Sequence, residues 1–124
     1  MAPGHDDPMV IDVWADVVCP FCCLGHAALG RAVEDFAHRD AVDVRYRSFQ
    51  LDPDLPEDTA VPVAEYLAAK GVAAGPQADE MHDRIRAQGA ALGIEFRFDR
   101  ALMANTRAAH RMVHLAGESR RSAA

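Results

Sequence analysis

Between Met9 and Phe49 the hydrophobic pattern changes period twice, and three cysteines fall at the first change. Met9 to Trp14 is a short β-branched run after a Gly/Asp/Pro opening, the pattern of a buried strand. From Pro20 to about Ala37, Cys22, Gly25, Leu29, Ala32, Val33 and Phe36 recur at helical spacing, with Arg31, Glu34 and Asp35 on other faces. Val42 to Phe49 then alternates, Val42, Val44 and Tyr46 to one side and Asp43, Arg45 and Arg47 to the other. Strand, helix and strand in this order predict a βαβ unit with parallel strands and a right-handed crossover.

The rest of the 124 residues divides by composition. Residues 1–8 read as a flexible N-terminus and 9–49 as the βαβ unit. Residues 50–62, rich in Pro and Asp, read as an irregular loop. Helical stripes fill 63–117: Val63, Tyr66 and Leu67, then Met81, Ile85 and Leu92, then Leu102, Thr106, Ala109, Val113 and Ala116. Gly93 is placed as a C-cap and Asn105 as an N-cap. Residues 118–124 are expected to fray.

Cys19, Cys22 and Cys23 lie too close together for a structural disulfide framework, so they read as catalytic or metal-binding. A second Cys-x-x-Cys that would complete a zinc tetrad is missing from the sequence, and no metal is expected. Thiol exchange needs a thiolate and a second sulfur within reach. A helix start offers both, through free N–H groups and the positive end of the dipole acting on Cys19. Pro20 fits the first turn, where a missing N–H costs nothing, and Phe21 completes the motif. Cys22, three residues on, lies on the same side of the helix as Cys19. Cys19 is therefore expected exposed and attacking, with Cys22 sheltered and resolving. Cys23, four residues after Cys19, is expected to be a small buried residue, with a competing resolving thiol as the alternative.

Asp12 and Asp16 are candidate proton acceptors for the resolving thiol, Asp12 from within the strand, since burial raises a carboxyl's pKa; a strand-end hydrogen-bonding role is the alternative. His110 and His114 share a polar face with Arg107 and Arg111 and read as solvated, and His26 follows Cys22 by one turn.

A net charge of -6 argues against nucleic acid or an anionic membrane as partner. No stretch approaches the roughly 20 apolar residues of a membrane span. The opening residues resemble no secretory signal, which leads to the expectation of a cytoplasmic protein.

The segment Ile11-Asp-Val-Trp-Ala-Asp-Val-Val-Cys-Pro-Phe-Cys-Cys-Leu-Gly25 resembles the active-site region of the FrnE-like branch of the DsbA family. Arg47-Ser-Phe-Gln-Leu-Asp-Pro-Asp54 and Ala104-Asn-Thr-Arg-Ala-Ala-His-Arg111 resemble two further segments of that family in the same order. The resemblance implies an α/β fold of the thioredoxin-like type, with a helical insertion, and a thiol-disulfide oxidoreductase acting as reductase or isomerase. It also implies a C-terminally truncated chain, lacking the family's cis-proline loop, strand hairpin and final helix, whose exposed strand edges could pair in a homodimer. Expected partners are disulfide-containing proteins or low-molecular-weight thiols. The redox disulfide needs no other cofactor, and glutathione is a candidate reductant. Two alternatives stay open: a glutathione-dependent enzyme like the kappa-class transferases or 2-hydroxychromene-2-carboxylate isomerases, and a non-catalytic fragment that binds a metal or a peptide.

Overall fold

The computed structural model describes residues 7–123; most of the N-terminal segment expected to be flexible, and Ala124, lie outside them. β1 (Met9–Ala15) leads into α1 (Pro20–Asp35), and a 3-10 turn at Arg39–Ala41 returns the chain to β2 (Val42–Ser48). β1 and β2 are parallel and in register from Met9 opposite Val42 to Ala15 opposite Ser48. This is the βαβ unit that the two changes of period predict.

Burial departs from that expectation. Parallel strands are ordinarily covered on both faces, yet β1 exposes Met9, Val10 and Trp14, the last 64% accessible. The reason is topological: among the described residues the sheet has two strands, so little packs across its faces. On α1 the buried residue is Leu24, outside the anticipated stripe, while Phe36 is exposed.

After β2 the irregular segment ends in a strand rather than running unbroken to residue 62. β3 (Ala60–Pro62) pairs antiparallel with β4 (Leu102–Ala104), Val61 opposite Met103. The third helical stripe accordingly begins late, because Leu102 to Ala104 is spent on this ladder and α4 occupies Arg107–Ala123. The end expected to fray from residue 118 is helical through Ala123. Between the short strands lie α2 (Val63–Ala69) and α3 (Pro76–Ala91). α3 ends as anticipated at Gly93, whose φ of 77° suits glycine. Ile94 N–H donates to Gly89 O at 2.8 Å and Gly93 N–H to Ala90 O at 3.2 Å, the paired bonds of a Schellman cap. That cap turns Phe96 and Phe98 back onto α3, where Phe98 stacks on His82 with centroids 4.0 Å apart.

Asn105 caps differently from expectation. It stands one residue before the cap position; its Oδ1 accepts from Arg107 N–H at 3.0 Å, while its Nδ2 donates to Leu55 O at 2.7 Å. One amide side chain thus starts α4 and ties it to the loop following β2.

Candidate active site

Cys19 is the N-cap residue of α1, with extended backbone (φ -94°, ψ 114°), and Pro20 opens the helix. The motif therefore sits at the turn from β1 into α1, where the chain leaves the carboxyl end of a parallel strand. Ligand and reaction sites of open α/β sheets lie at such ends. The three cysteines are free in the structure, Cys19 and Cys22 half-buried and Cys23 exposed. Exposure thus does not separate Cys19 from Cys22, and Cys23 is not the buried residue anticipated: it is exposed and lines one cleft with the other two.

The electrostatics of Cys19 also differ from expectation. Burial and the neighbouring Cys22 thiol push its pKa above the ordinary thiol value, and the N–H groups of Cys22 and Phe21 pull the other way without prevailing. These N–H groups do not offset burial and the second thiol, so the helix start delivers less to the sulfur than the sequence pattern promises.

Asp16 lies one turn upstream, only 4% accessible. Its Oδ1 accepts from Val17 N–H at 2.8 Å and faces His110 Nε2 at 3.0 Å; its Oδ2 accepts from Leu51 N–H at 2.8 Å. Burial alone would raise the carboxyl, but hydrogen bonds from Leu51 N–H, Thr106, His110 and Val17 N–H outweigh it and hold Asp16 below the ordinary carboxylate value. It is an ionised anchor at a strand end rather than a group poised to take a proton. Asp12, by contrast, is not buried. Its side chain is 34% accessible and accepts from Arg47 Nε on the adjacent strand at 3.0 Å.

Periodicity placed His110 on a solvated face, and the structure corrects this: His110 is 9% accessible. Its Nε2 faces Asp16 Oδ1 and also Phe49 O at 3.1 Å. Both are acceptors, so Nε2 carries the hydrogen. No buried side-chain nitrogen or oxygen among the described residues lacks a partner. The one available signal was the Ala104–Arg111 segment, which matched a family motif without saying what its histidine meets.

Around these groups lies an open cleft of about 450 Å³, and Asp16, Cys19, Cys22, His26, Tyr46 and His110 are among its walls. His26 Nδ1 and Tyr46 Oη are hydrogen-bonded across it, joining α1 to β2, and His114 Nε2 meets Ser48 Oγ at 2.7 Å. Burial pushes the Tyr46 hydroxyl above its ordinary pKa. Among the described residues no group of three His, Cys, Asp or Glu is placed to hold a metal ion, and no helix is long and apolar enough to cross a membrane.

A two-cysteine motif at a parallel βα turn, walled by an α-helical segment from later in the chain, defines a thioredoxin-type domain with a helical insertion. Residues 10–124 match the DSBA-like thioredoxin domain, and the chain belongs to that family. It is similar to the crystal structure of a probable DsbA oxidoreductase from Streptomyces coelicolor, at 39% identity and a TM-score of 0.84 over 91% of this chain. The chain spans about half of that protein, 48% of its length. No curated protein matches it.

Proposed function

We propose that the chain carries the dithiol site of a thiol-disulfide oxidoreductase that works as a reductase or isomerase, in the FrnE-like branch of its family. The observation that carries this reading is the position of Cys19 and Cys22, at the cap and in the first turn of α1 and on one wall of an open cleft. Cys19 attacks a substrate disulfide and forms a mixed disulfide, releasing one thiolate; Cys22 then attacks the Cys19 sulfur and releases the second. The substrate gains two electrons and the protein disulfide keeps the oxidised level. The raised pKa of Cys19, caused by burial and the adjacent Cys22 thiol, is in keeping with the reductase or isomerase reading, since a strong oxidant stabilises its reduced thiolate.

Peptide mapping after oxidation by a limiting disulfide tests the pairing, alongside insulin reduction by C19S, C22S and C23S. The expected result is a Cys19–Cys22 bond, loss of turnover in C19S and C22S, and turnover within about twofold of the parent in C23S. A Cys19–Cys23 bond with loss of turnover in C23S would make Cys23 the resolving thiol. Undiminished turnover in C19S would end the proposal.

A further inference from the structure

The thiol cleft does not stand alone. A second groove, about 390 Å³, adjoins it and is lined by Gln50, Arg107 and Arg111, together with Ser48, His110 and His114, which line the first as well. The first groove holds the thiols and one arginine, Arg47, which is paired with Asp12; the second holds Arg107 and Arg111, and the Ser48–His114 pair is common to both. In a chain of net charge -6, a local cluster of positive charge beside the reactive site is a directed feature rather than a reflection of composition.

The positive charge is also uncommitted. Arg111 makes no ion pair with any described residue, and Arg107 has only a loose contact with Glu57, 3.7 Å between exposed side chains. Asp16, which lines the adjoining cleft, is held by its own buried hydrogen bonds. Guanidinium groups recognise carboxylates through paired N–H donors, and grooves of a few hundred Å³ are of the size that takes a small molecule.

We infer that the second groove is a carboxylate-binding subsite, and that the substrates of the dithiol site include low-molecular-weight disulfides bearing carboxylates. This rests on the oxidoreductase reading and specifies its substrate class. One half of such a disulfide lies in the thiol cleft with its sulfur before Cys19, and its carboxylate reaches Arg107 and Arg111. The electron balance is that of the dithiol reaction: two protein thiols become one disulfide, one small disulfide becomes two thiols, and the two protons leave with the products. Turnover in the assay draws on an added dithiol, dithiothreitol.

The test compares glutathione disulfide, which carries carboxylates, with neutral bis(2-hydroxyethyl) disulfide, for the parent chain and for an Arg107→Gln/Arg111→Gln variant. Both arginines are exposed, so the variant keeps the fold, which circular dichroism verifies. Loss of two partly screened ion pairs lowers kcat/KM for glutathione disulfide by about tenfold. That for the neutral disulfide stays within about twofold, and 0.5 M salt reproduces the difference in the parent. If both disulfides are reduced equally well and the variant changes neither, the subsite is refuted while the oxidoreductase reading stands. If the variant slows insulin reduction as much as that of glutathione disulfide, the arginines serve protein substrates and the small-molecule assignment falls. If the parent reduces no disulfide, the underlying reading fails and takes the subsite with it.

Discussion

Replacing Asp16 by alanine should be the most damaging single change outside the cysteines. The carboxylate joins the end of β1, the chain after β2 and the first turns of α4, because its donors come from Val17, Leu51 and His110. Hydrogen bonds to a buried charge contribute about 1.5–3 kcal/mol each, but they are not additive, and the released donors regain some water from the open cleft. Each buried donor left without a partner costs about 1–3 kcal/mol, and we expect Asp16→Ala to cost about 3 kcal/mol in total. Asp16→Asn keeps the shape but turns an NH2 toward at least one donor, at a cost of about 1–3 kcal/mol. Urea denaturation measures both, as a lower midpoint at unchanged slope. The acid limb carries a further signature. The folded-state pKa of Asp16 is depressed below 3.8, so its stabilisation is complete above the unfolded value and drains away as pH falls from there through the folded value. Asp16→Asn should therefore flatten the loss of stability below about pH 4. An alanine variant within about 0.5 kcal/mol of the parent, with an unchanged acid limb, would refute the anchoring role.

Two further outcomes follow from the packing. Gly89→Ala would place a Cβ 2.6 Å from Phe96 Cε2 and 2.9 Å from Ile94 O; the ring can move, but the carbonyl belongs to the cap. We expect a net loss of about 1–2 kcal/mol in thermal unfolding, since overpacking outweighs the helix propensity gained. Asn105→Ala removes the bonds to Leu55 O and Arg107 N–H and should cost about 1–2 kcal/mol, with faster amide exchange at the start of α4 as the local readout.

The family's strand-helix-strand core was legible in the chain because it rests on local pattern. A β-branched run, a 3.6-residue stripe and an alternating run each report the face a residue turns to its neighbours, and the position of Cys19 at the helix start follows from chain order alone. The Schellman glycine at Gly93 was legible for the same reason, since a cap is set by residues within one turn. Other features depended on partners far away in sequence. His110 meets Asp16 across 94 positions, so nothing in the polar face it shares with Arg107 and Arg111 marked it as buried. β3 and β4 are three residues each and are strands only because they pair; neither is long enough to show a period. The ionisation of Asp16 and Cys19 was beyond local reading for a related reason. Burial pushes both upward, and only the tertiary count of donors separates them: Asp16 gathers enough hydrogen bonds to stay charged, whereas Cys19 lies beside a second thiol and does not.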